Sequence, residues 1–563
     1  MNPHYTPAPD ARTAASLLLL RDGEDGQGDL QVLMLRRAER DGDIRSGAAV
    51  FPGGVLDPRD RLAHHLCLGP DDTTASAQLG LAQGGLDYLV AAVRETFEEV
   101  GLLLADGDLD LTALQPWRDR LQAGEVGMVD LCQQHGLRLD LRGLTYYSHW
   151  LTPPGLPKRF DTRFFIALAP TGQQAQADLG EAVELMWLTP AQALAPERGL
   201  KLLPVTQRTL QDLARHPSAS AALDAARALR SVPLIMPRRA ASARGLRVVL
   251  PHELPYAEVA RLDPLGRGDA HADLLPGRAV RLSPRVIRVT APNPGPMTGP
   301  GTNTYLVGDA DDWTVIDPGP EPLASGDAAA DSHLQALLAA AQGRITRILV
   351  THTHRDHSPA AAALSQLTGA PVLGRTALHA EWQDAGFAPQ RELQDGERLS
   401  VGTSGTSGTS GTLRVVHTPG HASNHLCYLL EEEKTLFTGD HVMQGSTVVI
   451  NPPDGDMAAY LDSLRSLLEL DLDWLAPGHG FLVAPPADTL RGLIAHRLRR
   501  EAKVVAALQA HGAQPLLGFL PHVYDDVPAA LHGMASRSLL AHLLKLQGDG
   551  AARCVGGVWS LAR

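Results

Sequence analysis

Cysteine is scarce in this chain of 563 residues. The four present, Cys67, Cys132, Cys427 and Cys554, lie far apart in the sequence. That spacing argues against a disulfide framework and against a cysteine-built zinc site, and it suits a reducing compartment. Excess positive charge is missing as well. A net charge of -13 gives no general case for nucleic-acid binding and leaves only a local basic patch as a route to it. No long hydrophobic run occurs: AASLLLL is too short to span a bilayer, and the opening MNPHYTPAPD lacks the basic start of a signal peptide. The chain therefore reads as soluble and cytoplasmic, with no membrane partner. What remains is an ordinary globular composition, 44% apolar and 20% charged, in a chain too long for one hydrophobic core.

Residue patterns divide the chain. From 10 to 216, short apolar runs (SLLLLRD, LQVLMLRR, RFFIALA) alternate with helical stretches such as LDYLVAAVRETFEEVGLLL, which predicts a mixed α/β domain. Residues 217–281 are rich in Ala, Arg, Pro and Gly with weak periodicity and read as a linker. A second α/β region covers 282–486, and a small C-terminal unit covers 487–563. The repeat GTSGTSGTSGT, from Gly402 to Thr412, has no apolar anchor and reads as a flexible surface loop without chemistry.

In the second region, the stretch VTHTHRDHSPA crowds His352, His354, Asp356 and His357 onto one loop after the strand-like RITRILV. More such side chains follow apolar runs: His417, His421 and His425 in LRVVHTPGHASNH, Asp440 in KTLFTGDHV and His479 in LDWLAPGHG. Each alone is more often structural. Together they fit one nitrogen-and-oxygen site for zinc or a similar divalent ion, with no thiolate required.

The order H-x-H-x-D-H, then distant His, Asp and His, closely resembles the metallo-β-lactamase superfamily over about residues 286–479. The resemblance implies an αββα sandwich and two Zn²⁺ or similar ions. His352, His354 and His421 would hold one ion; Asp356, His357 and His479 would hold the other; Asp440 would bridge. It makes Asp356 catalytic as well as a ligand, and Asp317 in VIDPG structural or supporting. It places Asn303 at the substrate, and His425 either there or in a hydrogen-bonding surface role. The implied reaction is hydrolysis, and the superfamily cleaves lactams, thioesters and phosphodiesters, so the bond stays open. The opening NPGPMTGPGTNTYLV is similar to the β-lactamase-like endoribonuclease and glyoxalase II branch. The tail, with HRLRREAKVVAALQAHG, ASRSLLAHLLKLQGDG and ARCVGGVWSLAR, has the helix, helix and ribbon order of a winged helix. RNA binding there and a mere packing cap are both open. The basic run Arg497, Arg499, Arg500 and Lys503 fits either phosphate contact or a solvated helix face.

In the first region, RETFEEVGL places Glu95, Glu98 and Glu99 on one helical face, with Arg94 one turn from Glu98. Acidic faces are usually just solvated. Here, however, the stretch matches the core of the Nudix box, and VFPGGVLD supplies the glycine turn upstream. The resemblance implies a Nudix α/β/α fold and Mg²⁺ or Mn²⁺ on Glu98 and Glu99 with help from Glu95. Arg94 would hold the carboxylates, and the substrate would be a diphosphate. Two departures stand out. Residues 55–93 separate the box glycine from the arginine where the family has 13, a long insertion, and the usual upstream glutamate falls at Leu86, beside Asp87 as a weaker substitute. The insertion, GAAVFPGGVLD and PKRFDTRFFIA resemble the peroxisomal coenzyme A diphosphatases, whose further signature is partly matched around LMLRRAERDGDIRSG.

The expectation is a bifunctional metal-dependent hydrolase. Its Nudix half would act on a nucleoside diphosphate derivative or acyl-coenzyme A, and its metallo-β-lactamase half on a thioester or phosphodiester. One alternative keeps the Nudix half as a nucleotide-binding regulatory module, with only the other half catalytic, as an endoribonuclease among other options. A third reading is a nucleic-acid-binding regulator.

Overall fold

Leu17, Leu18, Leu19 and Leu20 are all fully buried, because the strand that carries them, Ala11–Asp22, is covered on both faces. The computed structural model of the protein describes residues 5–23, 29–38, 46–176, 182–309, 311–321, 328–380, 383–402 and 410–562. The chain divides into two compact units: 1–239 with 246–251 and 265–268, and the remainder.

In the first unit, Ala11–Asp22 pairs antiparallel with Leu30–Arg37 and parallel with Arg159–Leu168, within a nine-stranded sheet. Alternation along the strand sends successive side chains to opposite cores. Ala15, Leu17 and Leu19 pack on Val90, Val93, Phe97 and Val100 of the helix Gly85–Val100. Leu18 and Leu20 pack with Leu210 and Leu213 of Pro204–Leu213 on the other side. The result is the expected α/β/α layering. The insertion forms ordered elements of its own, the 3-10 helix Pro58–Leu66 and the helix Asp72–Leu79.

The second unit stacks a seven-stranded sheet on a five-stranded one. The core between them joins Tyr305 and Ile316 from the first sheet to Tyr428 and Phe437 from the second. Helices Ala328–Ala341 and Ala360–Thr368 cover one outer face. Met457–Leu468 and the start of Pro486–His511 cover the other. This is the αββα sandwich. Behind it, Pro486–His511, Leu516–Val523 and His532–Gly548 share a small core with a three-stranded ribbon, the winged-helix arrangement.

The stretch read as a linker differs from that expectation. Within it, Ala219–Arg227 is a helix burying Ala222, Leu223 and Ala226 in the first unit. Tyr256–Leu262 belongs to the second unit, where the buried Glu258 grips Arg288 through bonds of 2.6 and 2.9 Å. Alanine faces and a buried ion pair leave little apolar periodicity, which explains the weak sequence signal. Most of the Gly-Thr-Ser repeat, 403–409, and residues 39–45 of the partly matched coenzyme A signature lie outside the described residues. Among the described residues no helix is long and apolar enough to cross a membrane.

Candidate metal centres

In the second unit every expected donor follows the end of a strand. The histidine loop follows Ile345–Leu349, His421 follows Gly411–His417, Asp440 follows Thr435–Gly439, and His479 follows Trp474–Pro477. The fold gathers them into two groups, His352–His354–His421 and Asp356–His357–Asp440–His479, with the donor atoms of each within 4.8 Å of one another.

Hydrogen bonding alone does not satisfy either group. His354 Nδ1 lies 3.0 Å from both His352 Nε2 and His421 Nε2, and one ring nitrogen cannot serve two such partners. In the second group His357 Nε2 lies 3.3 Å from Asp356 and from Asp440, and His479 Nε2 lies 3.3 and 3.2 Å from the same two carboxylates. Yet His357 Nε2, His479 Nε2 and Asp440 Oδ1 are buried without a well-formed hydrogen bond. A shared cation is what such a set accepts. The outer ring nitrogens are meanwhile anchored. His421 Nδ1 donates to the Val449 carbonyl at 2.9 Å, and His479 Nδ1 to that of Gly301 at 3.2 Å. His357 Nδ1 meets Asp317 at 2.9 Å. Each anchor turns Nε2 inward.

Electrostatics point the same way. Burial first, and the neighbouring His421 second, push His354 down to about 3, toward the neutral form that can ligate. Burial works against charge on His479 too, but Asp440 and Asp356 outweigh it and raise this imidazole to about 10. The carboxylate pair thus demands positive charge.

Two expected substrate contacts need correction. Asn303 is fully buried, donating to the Pro477 and Gly480 carbonyls at 3.0 and 2.8 Å and accepting from Thr290 at 2.9 Å. It ties two loops together instead of facing a ligand. His425 is buried behind His352, with Nδ1 2.9 Å from Thr418 Oγ1, so it is at neither the substrate nor the surface. Asp317 is a support: its two oxygens take the Thr351 N–H at 2.7 Å, the Thr351 hydroxyl at 2.8 Å and His357. His417 stays outside both groups, 3.2 Å from the Ser423 carbonyl.

In the first unit the helix Gly85–Val100 brings Glu95, Glu98 and Glu99 to the glycine turn. Glu99 Oε2 accepts the Gly53 N–H at 2.9 Å. A Cβ on Gly53, at φ 154°, would stand 2.4 Å from the Ala15 carbonyl oxygen, so the turn requires glycine there. Arg94 Nη1 donates to Glu95 at 2.8 Å and to Glu98 at 3.3 Å. Burial raises Glu95 to about 7, and it raises Glu98 also. Among the described residues these carboxylates do not close into a group as tight as the two above. Beside them, Asp57, Asp60, Arg94, Glu98 and Gln122 line a cavity of about 200 Å³.

Neither Leu86 nor Asp87 stands in for the missing glutamate. Leu86 is core, and Asp87 is held by Arg61 at 2.9 Å and His64 at 2.8 Å. A third carboxylate that meets Arg94, from the other side, is Asp60, through bonds of 2.7 and 3.2 Å. Counting forward from Gly54 finds it; counting back from Arg94 crosses the insertion and fails.

The basic run in the tail also differs from both of its readings at two positions. Arg497 is buried, donates to the Val448 carbonyl and lies over the Tyr460 ring; Arg500 is buried and pairs with Asp526. Neither is available to a phosphate.

Matches to family models follow the same divisions. The metallo-beta-lactamase superfamily model matches residues 297–479, the NUDT19 Nudix domain model 72–198, and the beta-lactamase associated winged helix domain model 520–559. The atrochrysone carboxyl ACP thioesterase of Aspergillus chevalieri is 33% identical over 278 residues, covering 48% of this chain and 83% of that protein. The chain belongs to the metallo-β-lactamase superfamily. This superfamily member is a hydrolase that also carries a Nudix domain and a winged helix. It is 30% identical to the beta-lactamase-like protein 2 homolog of Caenorhabditis elegans, over 48% of the chain and 86% of the relative. A crystal structure of a NUDIX hydrolase from Alicyclobacillus acidocaldarius aligns at 27% identity and TM-score 0.34, over 40% of this chain and 98% of that one.

Proposed function

We propose that the second unit is a dinuclear, zinc-type thioester hydrolase and that the first is a Mg²⁺- or Mn²⁺-dependent diphosphate hydrolase. One observation carries the metal-dependent hydrolase reading furthest: two donor groups adjoin, Asp440 of the second lying 3.8 Å from His421 of the first, with buried imidazole and carboxylate atoms of the second group that no hydrogen bond satisfies. His352, His354 and His421 would hold one ion, Asp356, His357 and His479 the second, and Asp440 both. Bound there, the ions would polarise a carbonyl and lower the pKa of a water.

The chain's own residues do the positioning. Asp440 turns Oδ2 toward His421 at 3.8 Å and Oδ1 toward His357 at 3.3 Å, so it faces both groups. Thr302 Oγ1 donates to Asp356 Oδ2 at 3.1 Å and fixes the carboxylate at the pocket edge, where it can accept the proton of an attacking water. Thioester chemistry is favoured over RNA cleavage because the relatives named above include an ACP thioesterase and because Arg497 and Arg500 are spent internally. In the Nudix half, Glu98 and Glu99 would hold the ion with Glu95, while Arg94, pinned by Asp60, would hold the carboxylates in place.

The test is product analysis by mass after incubating the full chain with acetyl-coenzyme A, Zn²⁺ and Mg²⁺. Free coenzyme A supports the thioesterase, and fragments split at the diphosphate support the Nudix assignment. If neither product forms from this or any other acyl thioester or nucleoside diphosphate derivative, both assignments fall.

A further inference from the structure

The sheet of the first unit carries another cavity, on the face turned away from the helix Gly85–Val100. The strand Thr145–Leu151 sets up the two faces. His149 packs edge-on against Tyr5, which belongs to the core under that helix. Trp150 lies in the opposite core with Leu210 and Leu213, Ser148 shares its face by alternation, and a bulge between Tyr146 and Ser148 lets Tyr147 join them. Between these side chains and the helices Pro204–Leu213 and Ala219–Arg227 is a cavity of about 340 Å³, a size found among small-molecule sites.

Its lining has two characters. Tyr147, Trp150, Ala226, Leu229, Val232 and Ile235 make an apolar and aromatic side. Arg208, Asp212, Arg215 and His216 make a charged one. Among the described lining residues Asp212 is the only carboxylate, and it serves two guanidinium groups: Arg208 Nε at 3.0 Å and Arg215 Nη1 at 3.6 Å. Two cations against one anion leave net positive charge at the rim. Arg208 donates to Asp212 through Nε, and its two Nη groups make no bond to the protein. Trp150 Nε1 and Ser148 Oγ are buried without a partner, polar atoms of a kind that native structures usually pair.

We propose that this cavity binds an organic anion with an apolar body. The body lies against Tyr147 and Trp150, and a carboxylate or phosphate meets Arg208 and Arg215. Both anions present the same oxygens to a guanidinium fork. The sheet separates this cavity from Glu95, Glu98 and Glu99, so the bound molecule is not the diphosphate cut at the Nudix helix. Neither proposed reaction is required for it to bind.

Calorimetry on the zinc-loaded full chain tests this with three probes: 4-phenylbutanoate, 3-phenylpropyl phosphate and the neutral 4-phenylbutanamide. At least one anion should bind, one per chain, about tenfold or more tighter than the amide, the worth of a charge-assisted hydrogen bond. The anion that binds more tightly identifies the source. Arg208→Gln should remove most of the preference and change the amide's affinity by less than about twofold, and Arg208→Lys should recover part of it. Ala225 is a half-buried lining residue, and Ala225→Phe should fill the cavity and abolish binding of all three probes, with circular dichroism as the folding control. If that variant does not fold, the Arg208 series decides alone. An anion held instead at the zinc ions of the second unit would respond to neither substitution. The proposal is overturned if neither anion binds at about 1 mM, if the amide binds as tightly as both anions, or if Arg208→Gln or a folded Ala225→Phe leaves anion binding unchanged.

Discussion

Asp317 Oδ2 lies 2.9 Å from His357 Nδ1 while its other oxygen holds the Thr351 backbone, and Asp317 itself sits at φ 53°, in the left-handed region. A non-glycine residue in that conformation is uncommon and is held by its surroundings. Its place at the end of the strand Asp312–Ile316 lets one carboxylate aim an imidazole and brace the histidine loop.

Asp317→Asn should therefore weaken the proposed second ion by about 10–100-fold, as lost supporting partners commonly do. Competition with a chromogenic chelator measures this, with circular dichroism as the folding control. Affinity within twofold of wild type would show that the aspartate does not orient His357.

The two proposed activities should separate by mutation. Glu98→Gln should lower diphosphate cleavage by about 10²-fold or more and leave thioester cleavage unchanged. Asp356→Asn should do the reverse. Parallel kcat measurements on both reactions check it, and a loss of both activities in either variant would contradict two independent sites.

Chelation should remove thioester hydrolysis and leave the fold largely intact, because the sandwich core is built from apolar side chains and includes none of the donors. Dipicolinate treatment followed by Zn²⁺ addition should restore turnover. Replacing Asp440 with Ala should lower metal content from two ions per chain, read by elemental analysis. Full occupancy by two ions in that variant would sink the bridging role.

Breaking the Arg94–Asp60 pair should be costly. Asp60→Ala removes the bidentate partner of a buried guanidinium that still keeps Glu95 and Glu98, a change expected to cost about 1.5–3 kcal/mol, the worth of a hydrogen bond to a charged group. Urea unfolding should show it in the Nudix transition. A cost below about 1 kcal/mol, the range of exposed pairs, would mean that solvent reaches Arg94 freely.

Acid should destabilise the second unit partly through His333. Burial lowers this imidazole to about 4, and Thr304 Oγ1 lies 2.9 Å from Nε2. Its pKa falls on folding, so the unfolded chain binds the extra proton between about 6.5 and 4. The contribution is fully present above about 6.5 and is lost as pH falls through about 4, worth about 3 kcal/mol in all. His333→Gln should flatten the pH dependence of unfolding across that window. An unchanged slope would assign the acid sensitivity to other groups.

Local features were legible in the sequence. The crowded loop of His352, His354, Asp356 and His357 follows a buried strand, and Glu95, Glu98 and Glu99 share one helical face. Both patterns follow from periods of the backbone itself, so both could be read without the fold. The α/β layers followed from apolar periodicity for the same reason.

The rest depended on which strand ends and loops meet in space. Asp60 reaches Arg94 across an insertion whose length no local rule specifies. Asn303 and His425 carry polar side chains that look available in the sequence, and only packing shows them buried. Arg497 and Arg500 look like a basic patch until the sandwich and the tail's own loop close over them. The sequence determined the chemical types present at this protein's sites, since those lie within a few residues of one another. Only the tertiary structure decided which of them converge, because contacts between distant segments are set by the packing of whole sheets and helices.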